Sequence, residues 1–415
     1  MPDKVVGQAE TQREVVLREA LAFNADLPLK YLRQQAQYTT PASNYKLANG
    51  AASRGFAPVV KILDKVGIGL DDLAETLGVS QTAVEELLAA DPHAPLVMID
   101  GEDAQALDEE VVQRGRDNAV RVFLEADWGR TLRFYRPSGL RLPYCVMDLV
   151  SVLTGVAGCS QSGNYSIDGI IFPKVEQPAE IAWLCEVLSR IETQLGLPEN
   201  HIKVQVLVES GWSVVNLPEI VRRALPRLTG IIFGIADYSA DLALPAIRYD
   251  HFVCDWARAQ VVNMAGAVGV PAIDAMTVNY PVADPALTAE ENRDRILARL
   301  KACYDDAIHS IDMGMKGKWV GHPAQLFVVL LAYRTHVSAV TMKAELDKII
   351  AYQKAVQEKI GAIIIDGVMS DRATDRHARA RLREGVALGL LSPEEGLALG
   401  VISAAEAAEL GAGET

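Results

Sequence analysis

Short runs of apolar, β-branched and aromatic residues recur along the chain, most of them followed by stretches whose apolar positions repeat at helical spacing. The runs cover 34–40, 96–100, 131–136, 169–174, 203–209, 229–235, 270–275 and 317–322. Most are apolar on both faces, as strands buried in a parallel sheet are. The first, Gln-Gln-Ala-Gln-Tyr-Thr-Thr, is the polar exception. Helical spacing fills 178–195, which opens on Pro178 where a missing amide donor costs nothing, and also 250–268 and 289–314. Alternation of this kind predicts the α/β class and a parallel sheet with right-handed crossovers. Eight units close naturally into a (β/α)8 TIM barrel, with an open doubly wound sheet as the other arrangement.

Two regions exceed the eightfold count. Residues 58–92 read as a helical insertion after the first strand, with Ser80 as an N-cap. Beyond the barrel, 341–361 and 372–391 read as helices, and Ser392 with Glu395 and Ser403 with Glu406 have the spacing of capping boxes. The expected organisation is a barrel domain over 1–340, carrying the 58–92 insertion, and a C-terminal helical extension or arm over 341–415.

Composition narrows the class. Half of the 415 residues are hydrophobic, 23% are charged and mean hydropathy is +0.12, enough to build a packed core. Fifty-four acidic against forty basic side chains give a net charge of −14, the wrong sign for neutralising nucleic-acid phosphates or anionic lipid. Neither nucleic acid nor membrane is an expected partner. Cys145, Cys159, Cys185, Cys254 and Cys303 are odd in number and widely spaced, which reads as buried thiols. The first residues lack an apolar signal core and no run reaches 18 uninterrupted apolar residues, so the expected location is cytoplasmic.

In such a barrel the chemistry lies at the carboxyl ends of the strands. Here those ends are polar in succession: Asp100-Gly101-Glu102-Asp103, Arg133 and Arg136, Lys174 and Glu176, Glu209-Ser210, Asp237, Asp274, and Lys318 with His322. Carboxylates gathered on one rim repel unless a cation lies among them or some take up protons. Two resolutions stand: a metal, or salt bridges to Arg133, Arg136 and Lys174. All candidate ligands are hard oxygens, so the metal would be Mg2+, with Mn2+ possible, rather than zinc.

At these residues the chain resembles the HpcH/HpaI aldolase and citrate lyase β-subunit family, which includes the malyl-CoA lyases. The likeness runs from about 96 to 385. Asp100-Gly101-Glu102-Asp103 is similar to the family's Asp-Leu-Glu-Asp, and Leu132-Arg133-Phe134-Tyr135 to its Val-Arg-Val-Asn. Pro173-Lys174-Val175-Glu176 is intact, and Val208-Glu209-Ser210 stands where the family has Ile-Glu-Thr. Gly234, Asp237, Tyr238, Asp241 and Leu242 match Gly-x-x-Asp-(Leu/Tyr)-x-x-Asp-(Leu/Ile), 317–325 matches Gly-Lys-Trp-x-x-His-Pro-x-Gln, and 367–371 resembles Gly-Lys-Met-Ile-Asp. Gly101 for leucine and Tyr135 for asparagine are departures.

The resemblance implies Mg2+ held by Glu209 and Asp237, with Arg133 contacting a 2-oxo acid and Asp100, Glu102, Lys174 and Glu176 lining the substrate site. It also implies that Asp371, on an arm reaching a neighbouring subunit, is a catalytic acid or base, which requires a homo-oligomer; trimers or hexamers are the family's habit. The implied reaction is cleavage or formation of a malyl-, citramalyl- or citryl-CoA-like thioester, giving acyl-CoA and a 2-oxo acid. The alternative is an aldolase on a free 4-hydroxy-2-oxo acid without coenzyme A; a non-catalytic binding barrel is the third reading. Alone, His322 reads as a strand-end histidine bonded to backbone, and Asp371 also reads as a helix N-cap.

Overall fold

Eight parallel strands, β1 (Ala36–Pro41), β2 (Leu96–Asp100), β3 (Leu132–Arg136), β4 (Gly169–Phe172), β5 (Lys203–Val208), β6 (Leu228–Phe233), β7 (Ala272–Asp274) and β8 (Gly317–Val320), lie in chain order. Because β1 pairs with both β2 and β8, the sheet closes into a barrel and the open arrangement is excluded. The structure is a computed structural model describing residues 2–21, 27–158, 165–365 and 367–412. Cys159 lies outside the described residues; Cys145, Cys185, Cys254 and Cys303 are free thiols, the first and the last two buried.

The polar first strand has a place in this core. Buried Gln37 donates to Gln34 Oε1 (2.9 Å) and Gln205 Oε1 (2.9 Å) and accepts from Trp319 Nε1 (2.7 Å), while Gln205 donates to Gln34 Oε1 (2.7 Å). An amide network fills the barrel floor where aliphatic layers are usual, and buried amides are tolerated because they are bonded to one another. Gly317 is required here: a Cβ on it would stand 1.8 Å from the Gln34 carbonyl oxygen.

The insertion between β1 and β2 is helical, as expected, in three pieces: Val59–Asp64, Leu70–Leu77 and Gln81–Leu88. Ser80 accepts from the Ala83 amide as predicted (3.2 Å). Arg293 Nη2 to Asp72 Oδ1 (2.6 Å) ties the insertion to the long helix Ala289–Asp312 that precedes β8.

The chain divides into two compact units, Met1–Leu27 with Gln34–Val329, and Leu330–Thr415 with Pro28–Arg33. The second therefore begins at Leu330, earlier than the expected 341, and recruits a short N-terminal segment. The reason is packing: Leu29 belongs to the same apolar cluster as Met342, Ile349, Ala378, Leu382 and Val386. This unit holds the helices Ala339–Gln357, Arg372–Ala387, Pro393–Ala398 and Ala404–Ala412 and an antiparallel pair, β9 (Ile363–Ile365) and β10 (Val368–Ser370). Both predicted capping boxes form, Ser392 with Glu395 and Ser403 with Glu406. The stretch 323–357 is long and apolar enough to cross a membrane by composition, but it is two helices, Pro323–His336 and Ala339–Gln357, broken where Ser338 caps the second. The apolar residues of the first, among them Leu326, Phe327 and Val329, are buried in protein.

Candidate active site

The carboxyl ends of β2 to β6 supply one cluster. Arg136, the last residue of β3, is buried; its Nε reaches Asp100 Oδ1 (2.7 Å) and its Nη2 reaches Asp100 Oδ2 (2.6 Å), a fork on a carboxylate. Its Nη1 stands 3.1 Å from Glu102 Oε2 and 3.4 Å from Asp103 Oδ2. Lys174, just beyond β4, extends its ammonium to Glu102 Oε1 (2.9 Å) and Asp103 Oδ1 (2.8 Å), with Asp237 Oδ1 at 3.8 Å. The Lys174 amide donates to Glu209 Oε2 (3.1 Å), and its φ of 52° is a left-handed conformation that a non-glycine residue rarely adopts. Asp237 thus stands at the ammonium of Lys174 and Glu209 at its amide.

Glu209 is held by its surroundings. Its amide donates to Ser213 Oγ (3.1 Å), and Gly234 leaves the space it needs, since a Cβ there would stand 2.6 Å from Glu209 Cγ. Burial pushes the Glu209 carboxyl up to about 8, with Arg136 opposing and the charges of Glu102 and Asp237 adding to it. Burial likewise raises Glu102 to about 7, with Arg136 opposing and Asp103 adding. Lys174 and Arg136 stay charged: burial disfavours the cation in each, and their carboxylate partners more than offset it.

Five carboxylates (Asp100, Glu102, Asp103, Glu209, Asp237) therefore meet two cations. The salt-bridge resolution is realised at Asp100, Glu102 and Asp103, which Arg136 and Lys174 meet, while Glu209 and Asp237 both stand against Lys174, one at its amide and the other 3.8 Å from its ammonium. Among the described residues no three of His, Cys, Asp and Glu enclose an ion site. A pair of hard carboxylates with open positions suits Mg2+, which keeps several waters, and does not suit a fully caged ion. The residues present fit that metal.

Other expected residues stand elsewhere. Arg133 lies toward the start of β3, its amide bonded to Asp168 Oδ2 (2.9 Å) and its guanidinium 5.7 Å from the centre of the Trp128 ring. It is not in the cluster; Arg136, three residues nearer the carboxyl end of the strand, is the arginine there. Asp274 and Lys318 do not join the mouth either. They turn outward into a buried ion network, Asp274 bonding Arg258 Nε (2.8 Å) and Ser310 Oγ, with Lys318 Nζ on Tyr249 Oη (2.9 Å) and the Ala275 carbonyl (2.7 Å). Glu176 pairs with Arg141 on the loop after β3. Ser210 caps the helix Gly211–Val215. His322 Nδ1 accepts from the Ala324 amide (3.2 Å), and burial lowers it to about 4, so it is a neutral, backbone-bonded residue. Asp371 belongs to the second unit, where it caps the helix Arg372–Ala387 by accepting from Ala373 N (2.8 Å) and Thr374 N (3.3 Å).

Fold and cluster together define a barrel with an acidic, hard-oxygen mouth set around fixed cations. The chain belongs to the family described as "Domain of unknown function (DUF6986)", which matches residues 161–412. It is 25% identical over 321 residues to an L-malyl-CoA/beta-methylmalyl-CoA lyase of Rhodobacter capsulatus, spanning 74% of this chain and 91% of that protein. Among solved structures it is similar to a citrate lyase from Burkholderia xenovorans LB400 (TM-score 0.59, 16% identity, 88% of this chain and 96% of that one). It is also similar to protein CitE from Mycobacterium tuberculosis in complex with magnesium, acetoacetate and coenzyme A (TM-score 0.52, 20% identity, 85% and 97%). These two likenesses are of the fold.

Proposed function

We propose that the protein is a Mg2+-dependent carbon–carbon lyase of the citrate lyase β-subunit and malyl-CoA lyase type, converting a 3-hydroxyacyl-CoA with a carboxylate beside its hydroxyl into an acyl-CoA and a 2-oxo acid, or the reverse. The observation that carries this is the placing of two carboxylates, Glu209 just past β5 and Asp237 in the helix after β6, both against Lys174 in the cluster that holds the fixed guanidinium of Arg136. Glu209 and Asp237 would hold the metal. When bound, it supplies a Lewis acid for the carbonyl that forms and open positions for the oxygens of the 2-oxo acid.

In the cleavage direction the bond between the hydroxyl-bearing carbon and the carbon next to the thioester breaks. The hydroxyl proton leaves to a base, the electron pair passes to the thioester as an enolate, and a proton returns to carbon to give the acyl-CoA. Arg136, fixed by Asp100, offers positive charge without reorganisation at the moment charge develops. Lys174 fixes Glu102 and Asp103 and, through its amide, the orientation of Glu209. Asp371 is proposed as the acid that exchanges the carbon-bound proton, delivered from a neighbouring copy in a homo-oligomer, since a positioned carboxylate can do so.

The test is a panel of malyl-, citramalyl- and citryl-CoA beside free 4-hydroxy-2-oxo acids, with Mg2+ and after chelation. Thioester turnover that chelation abolishes and Glu209→Gln lowers by about 10²- to 10³-fold supports the reading, on the order expected when electrostatic stabilisation of the transition state is lost. Turnover of free acids alone would move the assignment to an aldolase, and turnover of neither would leave a binding barrel.

A further inference from the structure

A cavity of about 350 Å³ opens off the cluster, sharing Glu102, Asp103 and Lys174 with it. Its other walls are Gln105 and Leu107, from the loop after β2, and Gly139, Leu140, Arg141 and Leu142, from the loop after β3. At about 30 Å³ per water it has room for roughly a dozen, the small end of the range for ligand pockets. The site thus continues into a space with apolar walls and one further guanidinium.

The two arginines differ in what they can release. Arg136 is 5% exposed and locked on Asp100, itself 2% exposed, so parting them would leave a buried charge uncompensated. Arg141 is 69% exposed and, among the described residues, pairs with Glu176, which is 18% exposed. A surface pair of that kind is worth little and exchanges readily for another carboxylate. The acids in the cavity wall are already matched, Glu102 and Asp103 by Arg136 and Lys174. An anionic group entering the cavity therefore meets Arg141 as the available fork, suited to bidentate recognition.

We propose that Arg141, with the cavity beside it, forms a subsite for a second carboxylate, so that the 2-oxo acid bound at this mouth is dicarboxylic rather than a simple 2-oxo monoacid. Glu176 occupies Arg141 while the subsite is empty and yields to the ligand. The naming of the ligand as a 2-oxo acid rests on the lyase reading; the carboxylate subsite itself does not.

The matched probes are oxaloacetate and 2-oxobutyrate, of the same chain length and differing by a terminal carboxylate against a methyl. Calorimetric titration of the full-length protein in Mg2+ is expected to give oxaloacetate tighter by on the order of 10- to 100-fold, as one charge-assisted bidentate contact supplies. Arg141→Met should bring that ratio close to one, Arg141→Lys should restore part of it, and Glu176→Gln should keep or widen it, with circular dichroism checking that each variant is folded. Equal affinity of the wild type for the two acids, or an unchanged ratio in Arg141→Met, overturns the subsite. So does a Glu176→Gln variant that loses the ratio as Arg141→Met does, because the pair would then be only a structural latch. A ratio retained by a protein that turns over no thioester would condemn the lyase reading and leave the subsite standing; thioester turnover without discrimination would do the opposite.

Discussion

Gly101 and Tyr135 are two departures from the motifs that the chain resembles, and the structure makes them one event. A Cβ on Gly101 would stand 2.6 Å from the Tyr135 hydroxyl oxygen and 3.0 Å from the Arg136 carbonyl oxygen, so the tyrosine occupies the space that the expected leucine would fill. Gly101→Leu alone should overpack the loop at a cost of about 1–3 kcal/mol. Tyr135→Asn alone should leave a cavity, but the double variant should cost less than the sum of the two in a denaturant titration. Strict additivity would show that the positions are independent. A single sequence presents the two as unrelated anomalies because one follows β2 and the other lies on β3. The position of Arg133 outside the cluster has a related reason. Sequence alone offers Arg133 and Arg136 in one run, and only knowing that β3 ends at Arg136 decides which of them stands at the mouth. Glu209 and Lys174 could be placed near the mouth from the sequence because they fall within two residues of the end of an apolar run, and Asp237 because it opens the helix that follows one.

At the scale of elements, hydrophobic periodicity revealed the barrel where burial is two-sided and faltered where side chains satisfy one another. β2 spans 96–100 and the helix Pro178–Leu195 spans 178–195, both as expected, since nothing competes with apolar burial there. β1 looked weak because its glutamines are core residues bonded to Gln205 and Trp319, partners distant in the chain. The helix Pro2–Leu21 was not anticipated; residues 8–18 are exposed all round, so there is no apolar stripe to read. The helix Arg372–Ala387 bears a prediction of its own, because its cap, Asp371, is also the proposed acid. Asparagine caps nearly as well as aspartate, whereas alanine forfeits about 1 kcal/mol. Asp371→Asn should therefore keep the melting profile of the second unit and lose turnover, while Asp371→Ala should lose both. Wild-type turnover in Asp371→Asn would reduce the residue to its cap.

Across the whole molecule, the net charge of −14 conceals two opposing responses to pH. Glu102 and Glu209, raised to about 7 and 8, bind protons in the native state that the unfolded chain has already released, so their contribution weakens as pH rises above the ordinary carboxylate range. His322 acts in the other sense. Burial behind Tyr280 lowers it from 6.5 to about 4, so between those values the unfolded chain takes up a proton that the native protein refuses. Its linkage therefore makes stability rise with pH over that window, and acidification from 6.5 toward 4 removes on the order of 1–3 kcal/mol after allowance for its partial exposure. Because the carboxylates oppose it, the raw pH profile mixes the two, and only a difference isolates the histidine. His322→Asn can keep an acceptor at the Nδ1 position for the Ala324 amide without the titration. Its unfolding free energy, measured by urea at pH 7 and again near pH 4.5, should gain on the wild type by on the order of 1–3 kcal/mol as the solution is acidified. A difference between the two proteins that stays constant with pH would mean that His322 takes up its proton as readily in the native state as in the unfolded chain, and that the mouth of β8 is wetter than its packing against Tyr280 implies.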